Sequence, residues 1–430
     1  MVLQATPVTM LTKTGVHKPK IALRCNSFPV TSQTFVLNHV SLLREKNWDV
    51  ELHVDDFNFL KKALALEALK DTSVEESIYI CLRADTSFFD RFVSVVKHCF
   101  KFNSFSILLK SMNPVLYGRS GLNLRVYRSF SSLLESHQPN LAHAHFGHNG
   151  VSLLCAKLCG AINCPVVTSF HGYDAYLGGD SVRRFRKKYR LLFRYGDLFI
   201  ANSNYLRSIL IKLGCPENKI KIIPNFINTD LFSPASKPET PTKVCCKLIT
   251  VGRLIPLKNQ RLGILVTAYL KEMGVDAVYT IVGDGPELEN LKELASESGV
   301  SESITFLGEM SSFEISEELK RHHVFLMTTQ EDDMGRAETQ GIVTLEAQST
   351  GLPAIVSGVG GTPETIEHGK TGYVVNSGLP EDVAGKISHL LNPSIYWKFS
   401  KAARENALTR FSKSVVEKEL FDAYEELMDQ

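Results

Sequence analysis

With 430 residues, 44% of them hydrophobic and 22% charged, the chain has an ordinary globular composition and is too long for one comfortable core, so two domains of about 200 residues each are expected. No run of about 18 apolar residues occurs, which argues against a transmembrane helix. The net charge of +2 hides an asymmetry: residues 1–230 hold 29 Lys and Arg against 17 Asp and Glu, whereas residues 231–430 hold 19 against 29, and a basic half followed by an acidic half points to different partners for the two.

Residues 1–19 lack the apolar core of a secretory signal and are expected to form a flexible tail. From there short β-branched and apolar runs recur at intervals that leave room for helices. IALRC, VELHV, IYICL, LAHAH, VVTSF, LFIA and IKII occupy the first half; KLITVG, VYTIVG, ITFLG, VFLMTT, PAIVSG and YVV occupy the second. Near-continuous apolar strands alternating with helices indicate parallel sheets covered on both faces. The pattern runs twice, so the fold class is α/β, with two doubly wound, Rossmann-like domains. SPASKPETPTK at 233–243 has the composition of an exposed linker. It separates an N-terminal domain, 20–232, from a C-terminal one, 244–395. Terminal helices fill 396–430, the last amphipathic and expected to pack back toward the N-terminal domain. Nine scattered cysteines without a C-x-x-C pair are expected to be free thiols in a reducing cytosol.

Three segments of the second half suit a nucleotide. The strand ending in TVGRLIPLKNQ sets Arg253 and Lys258 in the following loop; a planar fork and a mobile point charge suit a diphosphate. In TIVGDGPE, Gly283 and Gly285 lie between a strand and a helix, where glycine permits a tight turn or close approach to a ligand. In GRAETQGIVTLEAQ, Glu338 and Glu346 are seven residues apart, with a helix N-terminus expected near Gly341–Val343. Free N–H groups there favour an anion, and a carboxylate accepts from vicinal hydroxyls.

The ordered run GRLIPLKN, VGDGP, FLG and E-x7-E, followed by EAQSTGLPAIVSGVGGTPETIEHGKTGYVV, closely resembles retaining GT-B glycosyltransferases of family GT4. In the first half AHAHFG, SFHGYDA, GDLFIANSNYLRSILIKLGCP and IIPNFINTDLF are similar to pieces of the same family, and FPVTSQTF resembles a loop of its members that build bacterial surface polysaccharides. The resemblance covers about residues 20–390 and the terminal helix. It implies that Arg253 and Lys258 hold the donor diphosphate, with Gly341, Ile342 and Val343 at the helix end approaching the phosphates. Glu338 then contacts donor-sugar hydroxyls, Glu346 the nucleotide ribose, Gly283 the nucleotide, and Gly308 the base. His171 lies near the transferred sugar, and Ser32, Gln33 and Thr34 form an acceptor-side loop. Gln33 stands where related loops often carry Glu, and PNFIN where many members read P-N-G-I-D.

The implied reaction is hexosyl transfer from a UDP- or GDP-linked sugar to a glycan or lipid-linked acceptor, with retention of configuration. No Asp-x-Asp occurs, and Arg253, Lys258 and the helix end can meet the leaving charge, so neither metal nor other cofactor is expected. His143, His145 and His148 match zinc-ligand spacing only loosely. The competing readings are a GT-B UDP-sugar 2-epimerase and a nucleotide-sugar-binding protein without transferase activity. Arg183, Arg184, Arg186, Lys187 and Lys188, interleaved with Phe185, Leu192 and Phe193, form a basic amphipathic helix for an anionic membrane surface or a pyrophosphate-linked acceptor, or else a solvated face. Groove-reading motifs are absent, so nucleic acid is not an expected partner. The expected location is cytoplasmic, peripheral at the inner face of the plasma membrane.

Overall fold

The computed structural model describes residues 18–29, 34–57, 77–82, 87–236 and 239–429. Ser32 and Gln33 of the expected acceptor-side loop lie outside these, as does most of the expected tail; Thr34 opens the first helix.

The first half runs β1 (Lys20–Phe28), α1 (Thr34–Glu45), β2 (Asp49–Phe57), β3 (Ile78–Ile80), then the helices α2 (Phe88–Phe102), α3 (Phe105–Ser111), α4 (Pro114–Tyr117), α5 (Arg119–Leu122) and α6 (Arg125–Ser129). It continues through β4 (Leu141–His145), α7 (Gly147–Cys159), β5 (Val166–Phe170), α8 (Ser181–Tyr195), β6 (Leu198–Ala201), α9 (Asn204–Lys212) and β7 (Ile220–Ile222). The second half holds β8 (Cys246–Val251), α10 (Gln260–Glu272), β9 (Ala277–Val282), α11 (Leu288–Glu297), β10 (Ile304–Gly308), α12 (Ser312–Leu319), β11 (Val324–Met327), α13 (Ile342–Ser349), β12 (Ala354–Ser357), β13 (Gly372–Val375), α14 (Pro380–Leu390), α15 (Pro393–Phe411) and α16 (Lys413–Met428).

The hydrogen-bonded strand orders are β3-β2-β1-β4-β5-β6-β7 and β10-β9-β8-β11-β12-β13. The register is parallel wherever β1 meets β2, β5 meets β6 and β8 meets β9 or β11. Both sheets expected from the strand pattern are therefore present. By contacts the chain forms two compact units: residues up to His143 with Cys155–Pro165, and Ala144–Leu154 with everything from Val166 onward.

In the second sheet, successive side chains feed two cores. Leu248 of β8, Tyr279 and Ile281 of β9, and Val324 and Leu326 of β11 join one cluster with Leu262 of α10 and Val383 of α14. Ile249, Val251, Val282, Phe325 and Met327 join the other with Leu319 of α12 and Ala347 of α13. With both faces dry, the strands have no polar alternation to show, and this is why they read as continuous apolar runs. The strand order reverses between β8 and β11, and the crevice beyond the strand ends at such a switch point is where open α/β sheets take ligands.

The last helix, α16, buries Val416, Leu420, Ala423 and Tyr424 along one side. Ile227 N–H donates to Phe411 O at 3.0 Å, and Glu426 of α16 pairs with Lys221 of β7.

Candidate functional site

The loops beyond β8, β9 and β10 are tied together by their backbones. Gly252 N–H donates to Val282 O at 2.9 Å, Leu254 N–H to Asp284 O at 2.9 Å, and Gly283 N–H to Gly308 O at 2.7 Å. At Gly283, with φ at +130°, a Cβ would stand 2.1 Å from the Gly252 carbonyl oxygen, so only glycine lets the two loops touch. Close packing therefore suffices to explain the glycine. This contact also fixes where the next turn sits. Arg253 is exposed in it, and a single 3-10 turn, Pro256–Lys258, lifts Lys258.

Lys258 Nζ lies 2.5 Å from a carboxylate oxygen of Glu338, with both side chains largely buried at 17% and 23% exposure. Burial alone would raise the Glu338 pKa. The Lys258 charge and hydrogen bond, the Gly341 N–H and the more distant Arg253 outweigh it and hold the carboxyl below its ordinary range. Glu338 is thus an anion at neutral pH. Its own carbonyl accepts from Gly361 N–H at 2.7 Å, which pins the strand-to-helix loop.

That loop ends at Gly341 in the left-handed region, φ +82°, where an L side chain would be strained. The chain then turns into α13, and Thr344 N–H closes on Gly341 O at 2.9 Å. Ile342 and Val343 are the first two residues of the helix, so their N–H groups have no intrahelical acceptor and carry the positive end of the dipole. Glu346 follows one turn later, half-buried, its carboxyl pushed up to about 7 by desolvation. The sequence expectation of a loop glutamate, a helix start and a second glutamate one turn in describes this geometry. Lys258, Glu338 and Gly341 converge, with Arg253 in electrostatic range.

His171 follows β5. Its N–H donates to Asp174 Oδ1 at 3.0 Å, and the second oxygen of Asp174 accepts from Gly147 N–H at 2.6 Å. The Asp174 carbonyl is held by the Tyr189 hydroxyl at 2.8 Å. One buried carboxylate therefore joins the start of α7 to the turn after β5. Its pKa is raised by burial, against the opposing pull of those N–H groups. The His171 ring meets His145 at 3.1 Å, Nε2 to Nδ1, and the Phe146 ring edge-on at 5.0 Å. His145 is desolvated down to about 3 and is neutral at physiological pH, so it meets His171 as an uncharged ring that either donates or accepts, according to its tautomer. Phe146 adopts φ +74°, an uncommon conformation for an aromatic residue, in the turn that presents this group.

The two rims meet through the segment between the glutamates. Thr339 Oγ1 donates to His171 O at 3.3 Å and accepts from Asn202 Nδ2 at 3.1 Å. Gln340 Oε1 accepts from Asn225 N at 3.0 Å and Nδ2 at 2.8 Å, and Gln340 Nε2 returns a bond to Asn225 O at 3.2 Å. Asn225 belongs to the PNFIN run.

Asp174, Thr339, Gln340 and the partnership of His145 with His171 were not foreseen as site features. Asp174 stands in the SFHGYDA motif, but a single aspartate three residues past a histidine gives no sign of which amide it will cap. Gly308 serves the site through its backbone oxygen. The basic segment forms α8. Arg186 donates from Nη2 to Lys212 O at 2.7 Å and Arg184 to the Tyr176 hydroxyl at 2.6 Å. Arg183, Lys187 and Lys188 are exposed, whereas Phe185, Tyr189, Leu192 and Phe193 are buried in the core. The apolar face of α8 is thus already used.

Residues 237–410 match the family profile described as glycosyl transferases group 1, and residues 76–231 match the one described as Glycosyltransferase Family 4. This chain belongs to the group 1 glycosyltransferases of family 4. The putative colanic acid biosynthesis glycosyltransferase WcaL of Escherichia coli is 26% identical over 415 residues, spanning 93% of this chain and 98% of that protein. The GDP-mannose-dependent alpha-(1-6)-phosphatidylinositol monomannoside mannosyltransferase of Mycobacterium tuberculosis is 32% identical over 252 residues, 55% of this chain and 62% of that one. Among solved structures, Anabaena HepE in complex with UDP superposes with a TM-score of 0.71 at 16% identity, covering 95% of this chain and all of that one. At that identity the likeness establishes the fold, that of the GT-B glycosyltransferases. As a family 4 glycosyltransferase the chain is a transferase, and its relatives include bacterial polysaccharide-building enzymes. Among the described residues no helix is long and apolar enough to cross a membrane.

Proposed function

We propose that this glycosyltransferase moves a hexosyl residue from a nucleotide-diphosphate sugar, UDP- or GDP-linked, to a glycan or lipid-linked acceptor, with retention of anomeric configuration and without a metal ion. The observation that carries the reading is the convergence of Lys258, the ionised Glu338 and the start of α13 on one point beyond the switch of the second sheet. Breaking the bond between the sugar and the diphosphate places negative charge on the leaving oxygen. Preorganised donors in a dry site stabilise that charge most. Lys258, Arg253 and the N–H groups of Ile342 and Val343 supply them. Glu338 orients the Lys258 ammonium and offers its second oxygen to sugar hydroxyls, and Glu346 is placed to accept from the ribose. His171, held by Asp174 and by neutral His145, lines the sugar side as a polar group. Retention then follows from attack on the face the diphosphate leaves, with a phosphate oxygen taking the acceptor proton.

The names of the relatives support a nucleotide donor: one is GDP-mannose-dependent, and the Anabaena HepE structures hold UDP, UDP with glucose, and UDP-glucose. A reducing, cytoplasmic setting fits nine cysteines none of which forms a disulfide. Thermal-shift screening with UDP, GDP and ADP is the first test. A nucleotide held at a hundred times its Kd stabilises the fold by about 2.7 kcal/mol. Turnover of the matching sugar is then followed by NMR at the anomeric carbon in EDTA. An inverted product sinks the retention reading, and activity abolished by EDTA and restored by manganese sinks metal independence.

A further inference from the structure

The helices after β3 carry the most conspicuous apolar surface in the described residues, and no part of the donor chemistry uses it. On α2, Phe88, Phe89, Phe92 and Phe100 are exposed, Phe89 at 72% and Phe100 at 71%. Positions 88, 92 and 100, with half-buried Val96 between them, advance in steps of four and trace one stripe along the helix. The stripe continues onto α3, where the Phe105 ring packs edge-on against Phe100 at 4.8 Å and Leu109, one turn later, is 71% exposed. The opposite side of α2 is anchored: Val95, His98 and Cys99 are buried, and His98 Nδ1 meets the Tyr127 hydroxyl at 2.9 Å. The phenylalanines therefore face outward because the other face is already committed to the core.

Beside the stripe runs a row of cations. Lys97 and Lys101 are exposed one turn apart on α2, and Lys110 is exposed next to Leu109. From Ser87 to Leu134 the sequence holds seven Lys and Arg and one acidic residue, Asp90. An apolar stripe flanked by lysines suits the boundary of an anionic bilayer, with rings among the acyl chains and ammonium groups at the phosphates. A second copy of this chain fits poorly, because a two-fold contact sets lysine row against lysine row.

We propose that the face formed by Phe88, Phe89, Phe92, Phe100, Phe105 and Leu109 is a docking surface for an anionic phospholipid membrane. It differs from the cationic face of α8, which has no comparable apolar stripe to insert, and it does not depend on which donor or acceptor the enzyme takes.

The test is co-sedimentation of the full chain with vesicles of phosphatidylcholine alone and of phosphatidylcholine with 30 mol% phosphatidylglycerol, at low and high salt. Binding is expected to the anionic vesicles and to weaken with salt. Phe89→Ser with Phe100→Ser, and separately Lys97→Glu with Lys101→Glu, should each lower it about tenfold or more. Arg183→Glu with Lys187→Glu on α8 should change it far less. All substituted side chains are exposed, and unchanged melting temperatures verify folding. Absence of binding to anionic vesicles overturns the proposal, as does binding that survives both α2 variants. A lipid-free dimer, seen by sedimentation velocity and abolished by the phenylalanine variant, assigns the face to self-association and overturns it equally.

Discussion

Lys258 Nζ and the Glu338 carboxylate stand 2.5 Å apart, each largely removed from water. The residue expected to grip the diphosphate is therefore already paired with the residue expected to read the sugar. Removing either leaves a poorly solvated charge without its partner. Lys258→Ala is expected to destabilise the fold by about 1–3 kcal/mol and to reduce donor turnover about 10²- to 10³-fold. Glu338→Gln should cost a similar factor in turnover and less in stability. In a double-mutant cycle the second substitution should cost much less than the first. Strictly additive effects would show that the pair is not energetically coupled. The sign with pH follows from the depressed Glu338 pKa. Its stabilisation is present above the ordinary glutamate value of 4.5 and fades as pH falls through the lower folded value.

Glu346 titrates in the opposite sense. Burial lifts its carboxyl from 4.5 to about 7, so the folded chain binds this proton more tightly than the unfolded chain. The cost of ionising a buried carboxyl is absent below pH 4.5, grows between 4.5 and 7, and is complete above 7. A lift of that size corresponds to about 3 kcal/mol at pH 8. Glu346→Gln is therefore expected to raise the melting temperature relative to wild type at pH 8 and to leave it nearly unchanged at pH 5. Melting curves of the two proteins across this range check it; parallel curves would show that Glu346 keeps an ordinary pKa in the fold.

The fold was legible because burial on both faces writes strands as largely apolar runs: LAHAH, VVTSF and LFIA are strands at those residues, buried throughout. The candidate donor half of the site was legible for a related reason. Arg253, Lys258, Glu338, Gly341 and Glu346 lie at strand ends and a helix start, so local pattern places them. The other half was not. Asp174 bonds to Gly147 across 27 residues, Thr339 to Asn202 across 137 and Gln340 to Asn225 across 115. Each is a polar side chain satisfied by tertiary structure, and nothing in its neighbourhood along the chain announces the partner. The basic helix shows the converse: its charges were plain in the sequence, but whether Phe185 and Phe193 faced lipid or core depended on the packing of α8.

Asp174 makes a positioning role testable. With one oxygen on Gly147 N–H and the other on His171 N–H, it sets the two turns that carry His145 and His171. Asn offers one acceptor oxygen in place of two, so Asp174→Asn should lose one of these bonds and tilt the His171 turn. The expected result is a loss of about 10- to 100-fold in kcat with KM for the donor within a few-fold, since the diphosphate contacts are untouched. Asp174→Ala removes both bonds and should also unfold earlier. A rise in donor KM with unchanged kcat would contradict the assignment.

Glu364 offers the last test, because it caps a helix that the E-x7-E motif does not contain. One of its oxygens accepts from Asn204 N at 2.8 Å and Asn204 Nδ2 at 3.0 Å, and the other from Tyr205 N at 2.7 Å. These are first-turn amides of α9, which no intrahelical carbonyl can satisfy, and a negative charge there also meets the helix dipole. Glu364→Ala leaves those backbone donors to water and is expected to cost about 1–2 kcal/mol in urea unfolding. Glu364→Gln keeps one acceptor and loses the charge, so about half of that cost should return. Hydrogen exchange locates the effect: the Asn204 and Tyr205 amides should exchange faster in the alanine variant, while those of β12, such as Ile355 and Val356, keep their protection relative to global stability. Equal costs for Gln and Ala would mean that charge alone carries the contact, and no cost for either would mean that solvent already serves α9 as well as Glu364 does.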